Sequence, residues 1–195
     1  MKGDGSRVER FDVQSGIMGR ALCAVVVVFA MAVACGGSSG RSDGVVVGEF
    51  EMRGVSMDPT LRDGDKVKAS SYEGVTPKRG EVIVFRATTH PDRSFIKRVI
   101  GVPGDTIEIS EATGDVSVNG ALLEELYVSG PTECIVKCVW TLPEANNDEA
   151  RQRCGSEACY FVMGDNREDP GDSADSRKGF LVTTESIVGR VEVND

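Results

Sequence analysis

Histidine is nearly absent: His90 stands alone in a chain of 195 residues. That scarcity excludes every metal site built on two or more imidazoles, and it leaves any Ser-His-Asp triad dependent on one residue. His90 lies in a polar stretch, Thr88-Thr-His-Pro-Asp92, which reads as an exposed turn with no catalytic role. Basic residues are also in deficit, 22 against 31 acidic, for a formal net charge of −9. Nucleic-acid backbones are held by clustered Lys and Arg, so no nucleic-acid partner is expected. Nor is there a long apolar run: the longest, Ala21 to Ala34, has fourteen residues, against about 20 for a membrane-crossing helix. What is present is 40% apolar and 27% charged residues, enough apolar content to offset chain entropy and fold one domain with extensions.

The fourteen-residue run follows Arg20 and precedes Cys35-Gly-Gly-Ser-Ser, which suits the apolar core of an export signal of about 7–15 residues. Val33-Ala34-Cys35 before a Gly/Ser stretch resembles a bacterial lipobox, with Cys35 as the lipidated residue and Ala32 where Leu is usual. The alternative is an uncleaved, tilted anchor. Residues 1–35 are thus expected to be an export signal or anchor, 36–44 a tether, and 45–195 an extracytoplasmic domain in a bacterial envelope, facing the periplasm. Five basic and four acidic groups fall in residues 1–44, so the exported part carries −10.

Beyond residue 44 the pattern is one of short strands between turn signals. Phe50 and Met52 alternate with Glu49 and Glu51; Val82 to Phe85 is a continuous apolar run; 95–100, 106–110, 116–118, 160–163 and 187–193 read likewise. Asn119-Gly120 marks a tight turn. The fold class expected is all-β, with one marginal helix over 144–153. Four cysteines, Cys134, Cys138, Cys154 and Cys159, lie in the exported part. An oxidising compartment favours disulfides over zinc, and the spacing departs from the two-residue zinc-ribbon pattern; all three connectivities stay open.

Chemistry resides in three stretches. Ser56, in Gly54-Val-Ser-Met-Asp-Pro-Thr-Leu61, sits where a strand leaves its sheet and an Oγ can stand beside free backbone N–H groups. On a strand over 95–100, Lys97 shares one face with Phe95 and Val99, and Arg98 the other with Ile96 and Ile100. Of the two, only the lysine can serve as a base, because burial penalises its charged form whereas Arg stays protonated. Gly164-Asp-Asn-Arg167 and Asp175-Ser-Arg177 supply a polar turn and an ion pair. Each stretch alone is unremarkable: a turn serine, a solvent-seeking lysine, a surface ion pair.

Their order carries more. Ser-Met-x-Pro-Thr-Leu at 56–61, Gly-Glu-Val-Ile-Val-Phe at 80–85, Lys-Arg-Val-Ile-Gly-Val-Pro-Gly-Asp at 97–105, Val-Asn-Gly at 118–120 and Ser-Ala-Asp-Ser-Arg at 173–177 resemble the boxes of type I signal peptidases. The resemblance spans residues 50–191 and implies a membrane-associated Ser/Lys endopeptidase of all-β fold, cleaving signal peptides from exported preproteins after small residues. It implies Ser56 as nucleophile, Lys97 as general base and the Ser56 N–H as oxyanion donor, with Gly54 where some members carry a second donor. It aligns Ser173 with a serine that hydrogen-bonds the lysine, makes Asp175 and Arg177 a supporting pair near Gly164, Asp165 and Asn166, and puts Met57 on a membrane-facing lip. It implies no cofactor and no metal; the expected partners are signal peptides and membrane lipid, and the protein is expected to be monomeric. About three more residues than usual separate Arg167 from Ser173, Pro170-Gly171 among them. The alternatives are a catalytically silent envelope lipoprotein of the same fold that binds exported chains, and a Ser/Lys peptidase with a dedicated substrate.

Overall fold

The computed structural model describes residues 44–87, 90–169 and 172–193. The expected signal or anchor over 1–35, Cys35 with it, and most of the tether lie outside the described residues, as do Pro170 and Gly171. Among the described residues no helix is long and apolar enough to cross a membrane.

The architecture is all-β, as the alternation implies. Eleven strands run in chain order: β1 Val46–Glu51, β2 Lys66–Ser70, β3 Val82–Arg86, β4 Ser94–Gly101, β5 Thr106–Ile109, β6 Val116–Val118, β7 Ala121–Leu122, β8 Val139–Thr141, β9 Cys159–Met163, β10 Val182–Thr183 and β11 Ile187–Val191. They form a seven-stranded sheet, β1-β2-β11-β3-β4-β9-β10, and a four-stranded sheet, β7-β6-β5-β8. Every strand pairing is antiparallel. In the larger sheet the C-terminal strand β11 lies between β2 and β3, so it alone joins the β1–β2 hairpin to the central strands.

β2 was not among the strands expected, yet its pattern is a simple one: Val67 and Ala69 are buried while Lys66 and Lys68 face out. The helix, α1, runs Asp148–Cys154, starting four residues later than the reading of 144–153. Its start is set by Asn147, whose Oδ1 accepts from the Ala150 N–H at 2.7 Å. Gly155, at φ +66°, ends it. Cys134 is paired with Cys138 and Cys154 with Cys159, with Cα atoms 5.0 and 6.1 Å apart. Both pairs close short local loops, which resolves the open connectivity.

β4 carries the centre of the molecule. Its Ile96 packs with Met52, Val67 and Val84 in one apolar cluster, and its Ile100 with Ile107, Trp140 and Phe161 in a second. Val99, pointing the other way, joins Ile83, Phe85 and Tyr160 in a third. Three clusters pin this strand from both faces. Its two basic residues are thereby fixed in depth, Lys97 3% and Arg98 1% exposed.

Candidate active site

After β1 the chain turns at Gly54, whose φ of +83° is left-handed backbone, and whose N–H donates to Asp63 Oδ1 at 2.7 Å. The turn aims successive side chains in opposed directions. Val55 is exposed, Ser56 is nearly buried at the wall of a cleft, and Met57 is fully buried against the first cluster. Met57 is therefore not on a membrane-facing lip. With Ser56 turned to the cleft, its neighbour is driven into the core, and Val55 takes the outer position.

The cleft has a volume of about 340 Å³, and Phe95, Ile96, Lys97 and Gly54 help to line it. Lys97 does not snorkel. Its Nζ lies 2.6 Å from Ser56 Oγ and 2.9 Å from the Ile96 carbonyl oxygen. Among the described residues no hydrogen bond from the Ser56 N–H to a backbone carbonyl or side chain is present.

The loop after β9 grips this turn from behind. Asn166 donates from its N–H to the Ser56 carbonyl and from its Nδ2 to the Val55 carbonyl, both at 3.1 Å. Gly164 lies so close that a Cβ there would stand 2.3 Å from Ser56 O and 2.8 Å from Asp172 Oδ2. Asp165 accepts from Arg98 Nε at 2.9 Å and Nη2 at 2.8 Å, a bidentate pair that is wholly buried. Thr60, from the Ser56 turn, also donates to Asp165. One carboxylate thus joins the turn, the lysine-bearing strand and the loop.

Further back, Arg167 donates to Gly164 O at 2.9 Å, to Thr132 Oγ1 at 2.7 Å and to Glu125. Arg177 donates from Nη2 to Asp175 Oδ2 at 2.9 Å and to the Arg167 carbonyl at 3.1 Å, and Asp175 Oδ1 caps the 3₁₀ turn Ser176–Lys178. From the sequence Arg98 and Arg167 receive no role at the site, and Asp172 goes unnamed. The signal for Arg98 was present, since an arginine between Ile96 and Ile100 on one strand face has to find a buried anion.

Ser173 calls for a correction. It is exposed, and the group that meets the lysine amine is its neighbour Asp172, whose Oδ1 lies 3.4 Å from Lys97 Nζ. Ser173 lines the same cleft, but among the described residues no hydrogen bond joins it to the Lys97 amine. Asp172 is itself buried, and burial pushes its carboxyl above the usual carboxylate range; Lys97 opposes that rise and Asp175 adds to it. His90 is exposed at the far end of β4, its ring edge-on to Phe95 at 6.2 Å.

A family model described as signal peptidase, peptidase S26, matches residues 20–194. Signal peptidase IB of Staphylococcus aureus (strain N315) is 36% identical over 155 residues, which cover 75% of this chain and 76% of that protein. Probable signal peptidase I-2 of a Synechocystis strain is 34% identical over 145 residues, 71% of this chain and 58% of that protein. Among solved structures, a signal peptidase I from Enterococcus faecalis V583 is similar at 28% identity with a TM-score of 0.43, covering 60% of this chain and 97% of that one.

Proposed function

Since the chain belongs to the signal peptidase family, peptidase S26, we propose that it removes signal peptides from exported proteins with Ser56 as nucleophile and Lys97 as general base. The observation that carries the reading is the 2.6 Å approach of Lys97 Nζ to Ser56 Oγ, both side chains buried at the wall of the cleft. In the neutral state the amine takes the Ser56 proton as Oγ attacks the scissile carbonyl carbon. The Ser56 N–H then donates to the oxyanion. Collapse of the tetrahedral intermediate breaks the C–N bond, and Lys97 returns its proton to the departing amine. The remaining ester is cleared when Lys97 takes a proton from an incoming water, and the serine leaves protonated.

Two features bear on substrate and place. β1 is an edge strand, paired only with β2, so an extended peptide can add beside it, and the modest cleft favours small residues next to the scissile bond. Val45, Val46, Val47 and Val55 are 46–64% exposed. Exposed apolar side chains, Val55 at the cleft and the other three around the start of β1, suit a lipid surface that a strongly acidic domain would not approach by charge. This agrees with an extracytoplasmic domain held at a bacterial membrane by residues 1–35.

A peptide with Ala at positions −1 and −3 of its cleavage site tests the mechanism. Ser56→Ala and Lys97→Ala each reduce kcat/KM by at least about 10³-fold, while His90→Ala cleaves at the parent rate. Loss of cleavage in the histidine variant, or near-parental rates in the lysine variant, refutes the lysine base.

A further inference from the structure

Asp172 belongs to the segment that is longer here than the resemblance leads one to expect, and it ends where a serine was anticipated. Its side chain is 3% exposed. Oδ1 accepts from the Ala174 N–H at 3.1 Å and faces Lys97 Nζ at 3.4 Å. Oδ2 has no hydrogen-bond partner among the described residues and rests against the open face of Gly164. The amine is thus shared among the Ser56 hydroxyl, the Ile96 carbonyl and the Asp172 carboxylate.

The groups that act on Asp172 can be named. Lys97 faces it from β4, and Asp175 stands near it from the start of the 3₁₀ turn, itself paired to Arg177. Asp169, Glu51 and Arg53 line the same cleft. Lys97 is the cation in direct reach of the Asp172 carboxylate, with Oδ1 at 3.4 Å from its Nζ.

We propose that Asp172 is a positioning residue of the peptidase, which ties the Lys97 amine against Ser56 and stabilises the ammonium that forms when the serine proton is taken. The role is that of the third member of a triad, with lysine in the middle place. Its cost is that the same attraction favours the ammonium before reaction, when the amine must be neutral to act. The carboxylate therefore raises the pH at which cleavage begins and lowers the barrier above that pH. No new bond is involved; one proton moves from Ser56 to Lys97 and later to the leaving amine.

The inference rests on Lys97 as base, and the test separates the two. Asp172→Asn keeps shape and removes charge. The acidic limb of kcat/KM moves to lower pH by about 1–3 units, and the plateau above it falls about tenfold. In parallel, the Lys97 ε-methylene signal is followed by NMR in the Ser56→Ala protein with and without Asp172→Asn, a measurement that needs no turnover. Its midpoint moves down together with the limb. A signal and a limb that both stay in place overturn the proposal. A signal that moves under an unmoved limb overturns it through its premise, because the contact then exists but Lys97 is not the base.

Discussion

Replacing Gly164 by alanine tests whether the nucleophile is held by the loop behind it. The added Cβ would stand 2.3 Å from Ser56 O, where contacts below 3.0 Å are essentially unknown, and 2.8 Å from Asp172 Oδ2. Backbone must therefore yield by about 0.7 Å, and it cannot be spread over a flexible side chain. The Ser56 carbonyl is tied to Asn166 N–H and its Oγ to Lys97, so the shift falls on the reacting atoms. A misplacement of this size costs on the order of 10²-fold in rate, about 2.7 kcal/mol of barrier. Overpacking adds about 1–3 kcal/mol of instability. The assay is kcat/KM on the alanine-containing peptide beside a thermal melt. Gly54→Ala is the comparison: a Cβ there meets nothing within 4 Å, and only its left-handed backbone is penalised, by about 1–2 kcal/mol. If folded Gly164→Ala protein cleaves within threefold of the parent, the loop does not fix the nucleophile.

Two other outcomes concern the buried charges. Asp165→Ala removes the bidentate carboxylate partner of the buried Arg98 and lowers unfolding free energy by about 3–5 kcal/mol in urea titration; a loss below 1 kcal/mol would show that the pair is dispensable. Asp105 is held below the usual carboxylate range: burial opposes this most strongly, but hydrogen bonds from Arg79, the Val102 N–H and Asn119 together outweigh it. A folded pKa below the unfolded one gives stability that is present above about pH 4 and lost as pH falls through the folded value. Asp105→Asn should accordingly cost about 1.5–3 kcal/mol at pH 7, and the gap to the parent should narrow in melts taken progressively below pH 4. A gap that is constant with pH would contradict the charged hydrogen bonds.

Much of this architecture is legible in the chain because strands announce themselves by alternation. Val82 to Phe85 is apolar throughout because β3 is covered on both faces, and Phe50 and Met52 alternate with Glu49 and Glu51 because one face there is open to solvent. β2 escaped because Lys66 and Lys68 dominate a five-residue window, while the Val67 and Ala69 that define its buried face are small. The site divides in the same manner. Ser56 and Lys97 are readable from residue type and order, but the direction of a side chain in a turn is not: Met57 lies inside because of where Ser56 points. Asp172 faces the amine while Ser173 is exposed, and adjacent residues of a polar loop carry no periodicity that says which of them turns inward. The buried anchors Arg98 and Arg167 bond partners 67 and 42 residues away, and separations of that order leave no local pattern.

The place of β11 bears on how the enzyme comes into being. The hairpin that leads into Ser56 and the strand that carries Lys97 are neighbours only through a strand ending at residue 191, and Asn166 closes a span of 111 residues to reach Val55. Contacts so distant in sequence form late and slowly. Until β11 docks, the β1–β2 hairpin has no sheet connection to β4. Assembly of the dyad is therefore tied to the docking of β11, a segment that carries neither of its residues.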